Sequence, residues 1–339
     1  MKRSLTRPGG ALSLLLLLLV ARGAGAQGTA PDTERSDVSS AAETATFLLV
    51  PVGARAVGMG GAVSASRGDI EGSLWNPASM AGLESGAVYL MGGPDFVGSV
   101  LVAGGVVALG DFRAGLTVLH YGHGTIEARD DANRPIGTLD PNEQAFVLSG
   151  AYPVATWLDV GAAGKALRIN LCSDVCGSAD YDQWGFAFDV GIVARLPGNE
   201  SLRAGLLLRN LGGGISLGGG PSDPLPARVR LGLEMDLPSA ISADGTWAGG
   251  DLDLLVRVDL QETLTEFDDL DAHFGAELGF KRVLLVRGGY ALTSEGRTGP
   301  TLGVGIRFKR LILDLGYGFN DFAGFDSGTP LQLSVGFGF

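Results

Sequence analysis

Residues 330–339 place Leu331, Leu333, Val335, Phe337 and Phe339 on one parity and Gln332, Ser334, Gly336 and Gly338 on the other. A strand turns successive side chains to opposite faces, so this segment has one apolar face and one small or polar face. The same dyad recurs upstream. Val229, Leu231, Leu233 and Met235 alternate with Arg228, Arg230, Glu234 and Asp236; Leu252, Leu254, Val256 and Val258 alternate with Asp253, Arg257 and Asp259. Further on, Phe274, Ala276, Leu278 and Phe280 alternate with His273, Glu277 and Lys281, and Leu302, Val304, Ile306 and Phe308 share a strand with Arg307. Strand-like segments fall at 86–92, 96–109, 112–121, 143–153, 156–171, 182–196, 201–211, 225–237, 251–260, 272–282, 283–292, 299–309, 311–319 and 330–339. An even number of alternating strands is the signature of a bacterial transmembrane barrel, with lipid outside and a polar lumen inside. The expected fold is all-β: a transmembrane antiparallel β-barrel of about 14 strands over residues 86–339.

Charge on a lipid face costs a few kcal/mol near the midplane, so the polar parity must face inward. Arg228, Arg230, Asp253, Arg257, Asp259, Glu277, Arg287 and Arg307 are thereby predicted to line the lumen, with opposite signs adjacent across strands. Connection lengths agree with this topology. Short links near 110–111, 154–155, 197–200, 281–282 and 309–310 fall at even-to-odd junctions, and long links near 122–142, 172–181, 212–224, 261–271 and 320–329 at odd-to-even ones. Short periplasmic turns and long outer loops alternate in this way, which puts both termini on the periplasmic side. The link 238–250 is longer than the pattern requires. Strands 86–92, 96–109 and 143–153 differ from the rest, being apolar or small on both parities (Val100, Val102 and Val106 opposite Leu101 and Val107; Val147 opposite Phe146 and Leu148). Something dry must lie inside that wall, either a packed plug or a path for a greasy ligand.

Ahead of the strands the pattern changes. Lys2, Arg3 and Arg7, a short apolar run to Val20 and Ala24-Gly25-Ala26 read as a cleaved secretory signal over 1–26, with the mature chain starting near Gln27. Residues 27–45 are small and polar, a flexible leader. Residues 46–85 are glycine-rich without a dyad period and form a candidate plug. There Asp69 can cap a short helix that Pro77 would end. Asn76-Pro77-Ala78 should make a defined turn, because Pro77 fixes its own φ and disfavours helix at Asn76, whose side chain can hold the turn. This turn is expected beside strands 86–92, 96–109 and 143–153.

Glycine is 55 of 339 residues, and 45% of the chain is hydrophobic, which excludes disorder and, without a G-X-Y period, collagen. The net charge is −12, and the signal removes four basic residues and no acid. Phosphate neutralisation needs clustered Lys and Arg, so nucleic-acid binding is excluded. Cys172 and Cys176 are the only cysteines, a close pair that export favours as a disulfide in a loop outside the membrane. His120 and His123 with Glu127 lack a full metal-ligand set, and Gly161-Ala162-Ala163-Gly164-Lys165 lacks the spacing and Ser/Thr of a phosphate loop. No G-x-S-x-G or other catalytic motif is present, so no enzyme, metal or cofactor is predicted.

The run Gly53-Ala54-Arg55-Ala56-Val57-Gly58-Met59-Gly60-Gly61-Ala62, followed by Trp75-Asn76-Pro77-Ala78, resembles the N-terminal signature of the PorV/PorQ family, which is related to the FadL-like outer-membrane long-chain fatty-acid transporters. The resemblance implies a FadL-like barrel with an N-terminal plug, in the outer membrane. It carries over Asn76, Pro77 and Ala78 as a plug element and no ligand residues. It leaves three functions open: passage or binding of hydrophobic small molecules, an accessory role in protein secretion, or a structural barrel without transport. The partners expected are outer-membrane lipids, the assembly machinery through the strand ending at Phe339, and a hydrophobic ligand, with the barrel a monomer.

Overall fold

The computed structural model describes residues 43–95, 98–172, 181–238, 252–264, 270–294, 297–319, 321–322 and 330–339. The expected signal peptide and most of the leader, the link 239–251 and Cys176 lie outside the described residues. Fourteen strands make the main sheet: β1 (Ala87–Pro94), β2 (Ser99–Leu109), β3 (Phe112–Gly122), β4 (Asn142–Ala155), β5 (Leu158–Asn170), β6 (Asp182–Arg195), β7 (Leu202–Gly212), β8 (Arg228–Pro238), β9 (Leu252–Thr263), β10 (Asp271–Phe280), β11 (Leu284–Leu292), β12 (Arg297–Phe308), β13 (Leu311–Gly318) and β14 (Leu331–Gly338). Each pairs antiparallel with its neighbours in sequence. The ring closes where β14 meets β1, with Ala87 opposite Gly338 and Gly92 opposite Leu333. Closure removes every free edge that an open sheet would expose.

Burial alternates along the strands as the dyad predicts. Leu90, Leu148, Phe186, Phe188, Leu233, Leu302, Leu333 and Phe337 are exposed on the outer face, while Glu234, Arg257, Asp259, Arg287 and Asp314 are buried inside. An apolar exterior of this extent is stable only in lipid, and the closed ring is a transmembrane barrel. Strand β8 begins at Arg228 rather than at Leu225, because Pro224 and Pro226 have no N–H to offer a ladder. Two-residue turns join β2 to β3 and β12 to β13, and Gly110 (φ 64°) and Lys309 (φ 55°) supply the left-handed backbone that tight hairpins need. These turns, with 156–157, 196–201 and 281–283, mark one end of the barrel, the turn end. The opposite, loop end carries the connections 123–141 and 213–227, each with its own small hairpin (Ile126–Arg129 with Pro135–Leu139; Ile215–Ser216 with Ser222–Asp223).

Residues 43–85 lie inside the ring. They contain three 3-10 turns (Thr46–Leu49, Ile70–Ser73 and Pro77–Gly82) and one short helix, α1 (Ala54–Gly58). The first described residues sit at the loop end, where Thr44 N donates to Pro224 O at 2.9 Å and Arg228 pairs with Glu43 at 2.7 Å. The segment finishes at the turn end, where Arg113 Nε donates to Leu83 O at 2.7 Å. The segment has no strand of its own, so its buried backbone groups must find partners among inward side chains at every level of the lumen. One flank of the segment is dry: Phe47, Leu48, Val50, Val52 and Trp75 pack with Tyr89, Met91, Val100, Val102, Leu119, Tyr121, Val147, Leu167 and Ile169 from β1–β5.

Candidate functional site

The flank facing β8–β13 is charged. Arg257 Nε meets Glu234 at 2.6 Å, and Arg203 also reaches Glu234 from β7. Arg287 donates from Nε to Glu277 at 2.6 Å and from Nη1 to Asp314 at 2.5 Å. Arg55, on α1, joins the network from the lumen, 3.2 Å from Glu277 and 3.0 Å from Asp69. Arg230 Nε lies 3.1 Å from Asp259, whose Oδ2 accepts from Val63 N at 2.9 Å and Ser64 N at 2.8 Å. Removing these charges from water is tolerable only because each carboxylate has a cation or several N–H groups beside it. The other predicted lumen residues lie at the margins: Arg228 pairs with Glu43 at the loop end, and Asp253 meets exposed Arg282 at 3.3 Å at the turn end. Arg307 is half-buried and pairs with no carboxylate among the described residues.

Two luminal carboxyls at the turn end differ sharply. Asp69 caps the turn Ile70–Ser73, accepting from Glu71 N at 3.0 Å. Burial alone would raise its pKa, but Arg55 and Arg257 hold it below the usual carboxylate range. Burial pushes Glu71 up to about 8; Asp69 and Asp314 add to the rise, and Arg55 and Arg287 oppose it. Glu71 Oε1 accepts from Ser334 Oγ at 3.3 Å. A cavity of about 70 Å³ lies here, lined by Arg55, Asp69, Glu71, Arg307 and Asp314.

Pro77 opens a turn rather than closing one, sitting first in Pro77–Gly82 with Asn76 as the cap. Asn76 Oδ1 accepts from Ala78 N at 3.1 Å, while Nδ2 donates to Ser64 O at 2.7 Å and Ile192 O at 3.2 Å. Asn76 and Ala78 therefore lie against β5 and β6, while Met80 and Ala81 of the same turn pack with Val106 of β2 and Ala151 of β4, so the expected contact with β2 and β4 is made by the later residues of the turn. The reason is room: a Cβ at Gly161 would fall on the Ala78 backbone and one at Gly191 on the Asn76 side chain.

At the loop end a second cavity of about 70 Å³ sits on the luminal segment. Leu49, Pro51, Val57, Ala291 and Pro330 form its apolar wall, and Trp75, Arg209, Arg230 and His273 its polar edge. Trp75 is fixed by an Nε1 bond to Val52 O at 3.1 Å, with the guanidinium carbons of Arg209 and Arg230 5.3 and 5.9 Å from its ring centre. His273 Nδ1 faces Gly60 O at 2.8 Å, and its Nε2 has no partner. Sequence reasoning missed Arg209 and also Lys165, which is buried against Asp189 at 2.7 Å. Both share the parity of buried neighbours, Leu207 and Leu167, which is the signal that could have found them.

The remaining candidates are not brought together. His123 meets Glu143 at 3.1 Å, Glu127 pairs with Arg129, and His120 is exposed on the outer face. Cys172 follows β5 and is not a free thiol, while its expected partner Cys176 lies outside the described residues.

No protein-family model and no curated protein matches the chain. Solved structures do. The Pseudomonas putida toluene transporter TodX aligns with a TM-score of 0.56 at 13% identity, over 85% of this chain and 98% of that one. The monoaromatic hydrocarbon channel CymD gives 0.53 at 17%, over 88% and 99%. A Pseudomonas aeruginosa FadL homologue gives 0.52 at 13%, over 86% and 99%. The chain has the FadL-like barrel fold.

Proposed function

We propose that the protein is an outer-membrane barrel that passes hydrophobic small molecules, with residues 46–85 as a plug that must shift to let them through. The observation that carries this is the loop-end cavity, an apolar-walled chamber floored by the luminal segment inside a barrel of FadL-like fold. TodX and CymD are described as a toluene transporter and a monoaromatic hydrocarbon channel, which supports the same class of cargo. No enzymatic role is proposed. Export fits a signal removed near Gln27 and assembly as a monomer through the strand ending at Phe339. The dry β1–β5 wall and the charged β8–β13 wall both hold the segment, so it acts as a gate in place rather than as a loose tether.

Reconstituted vesicles test the reading. Protein-dependent uptake of toluene is expected, and deletion of 46–85 should raise single-channel conductance in planar bilayers. Absence of protein-dependent uptake for toluene, an alkane and a long-chain fatty acid would remove the transport reading. A PorV-like accessory role in secretion is supported by the runs at 53–62 and 75–78, and would show as co-purification with other secretion components from solubilised membranes.

A further inference from the structure

We propose that the loop-end cavity receives a small aromatic carboxylate, its carboxylate on Arg209 and its ring on the apolar wall. This rests on the reading above, that the barrel admits hydrophobic molecules, and narrows the class. A pure hydrocarbon needs no cation, yet this chamber presents two guanidiniums against one carboxylate, Asp271, which is already bound by Gln261 Nε2 at 3.1 Å and Ser294 N at 2.8 Å. Arg230 is already neutralised by Asp259 at 3.1 Å. Arg209 is neutralised less directly: it is 4% exposed and donates once, from Nη2 to Leu48 O at 2.7 Å, while the carboxylate near it, Asp189, is bound by Lys165 at 2.7 Å and by Asn210 N at 2.8 Å. The Arg209 Nε, buried in a residue that lines the cavity, has no hydrogen-bond partner among the described residues.

A buried cation that shares its carboxylate with a lysine is left under-compensated, and the Trp75 face makes up only part of the difference. A carboxylate arriving at Arg209 supplies the missing charge and can take charge-assisted N–H bonds from the fork. Leu49, Pro51, Val57 and Ala291 then cover the apolar body of the ligand. The enclosed space of about 70 Å³ is smaller than the ~150 Å³ cavity that takes a whole benzene ring, so it seats only part of a compact body, with the rest at the loop-end mouth, and does not take an extended chain. A rigid ring suits it, because it loses little conformational freedom on binding and can stack on a guanidinium plane.

The probes are benzoate, toluene and palmitate, titrated against the full-length barrel in lipid nanodiscs. Saturable benzoate binding is expected. Arg209→Met should weaken benzoate by about tenfold or more, the usual scale for losing hydrogen bonds to a charged group, and weaken toluene, which takes no hydrogen bond from it, much less. Ala291→Phe, which fills the chamber, should abolish both, with folding of each variant checked by heat-modifiable migration on gels. Wild-type benzoate affinity in either folded variant overturns the proposal, as does palmitate binding tighter than benzoate. Should Arg209→Met not fold, Ala291→Phe alone decides whether the chamber is the site, and Arg209→Lys, which keeps the charge, should then retain most of the benzoate affinity. Toluene uptake without benzoate binding overturns this inference and leaves the hydrophobic-passage reading intact; neither uptake nor binding removes both.

Discussion

Along β1–β5 the luminal segment is held chiefly by Phe47, Leu48, Val50 and Val52 against Val100, Val102, Leu119, Val147 and Leu167, contacts without preferred direction, with a few directed bonds beside them: Ser73 to Tyr89 and Thr117, Arg67 to Asp159, and Leu83 O to Arg113. Along β8–β13 it is held by directed bonds: Asp259 to the amides of Val63 and Ser64, Thr301 Oγ1 to Gly60 N at 3.0 Å, and Glu277 to Arg55. The first wall excludes water and sets how firmly the segment is seated. The second decides which residue lies at which height, because a one-residue slip would leave several buried charges unpaired at once. Most of the bonds that set register thus fall on one side of the lumen, and most of the apolar contact on the other.

The comparison breaks most sharply at Asp259. Asp259→Ala leaves buried Arg230 and two amides without their acceptor, and should destabilise by about 3–5 kcal/mol. Urea titration and trypsin access to residues 55–67 would show it. The paired change Asp259→Leu with Arg230→Met should restore the part owed to the unpaired Arg230 and not the part owed to the two orphaned amides; full recovery would show that the bonds to Val63 and Ser64 do not hold the segment. On the other side, Leu167→Ala should cost about 2–5 kcal/mol through its cavity. No second substitution across the lumen should rescue it except one that refills the volume, as double-mutant urea titrations can establish.

A smaller effect belongs to the turn at Asn76. Removing its side chain orphans Ala78 N, Ser64 O and Ile192 O, a loss of about 1–3 kcal/mol that should raise bilayer conductance noise without unfolding the barrel. The smallest effect is a titration. Glu71 binds its proton more tightly in the folded state, so its contribution is complete below the ordinary carboxylate pKa and is lost as pH rises through about 8. Stability should therefore fall with rising pH over that window, by at most about 1.4 kcal/mol per pH unit, and Glu71→Gln should flatten the slope. Chemical denaturation at a series of pH values between 5 and about 9 checks the sign.

The strands were legible because alternation is local: Leu231 and Arg230 declare their faces from adjacent positions. The inward side of Arg257, Asp259, Glu277 and Arg287 follows from the same alternation, since lipid forbids their charges any other direction, but the partners Asp314 and Arg55 do not. The path of residues 43–85 was not legible. Its turns are too short to carry a period, and its partners are distant in sequence, Asn76 at Gly191 and Ile192, Ala54 N at Ser334 Oγ. Arg209 escaped for a related reason. Its neighbour Asn210 is buried as well, where the β6–β7 register shifts between Phe188 and Val190, so the parity is blurred at the residue that mattered.

Closure of the ring by β1 against β14 has a consequence for assembly. The pairing of Ala87 with Gly338 joins residues from opposite ends of the barrel sequence, so the ring cannot seal until its last strand has arrived. Residues 43–85 precede β1 and make bonds to β6, β8, β9, β12 and β14. They have no complete binding surface until those strands exist. Contacts of such long sequence separation form late and slowly. The interior segment is therefore wrapped by a sheet that grows around it, and a mutation that makes it settle early on a partial sheet would stall the final seam rather than weaken the finished barrel.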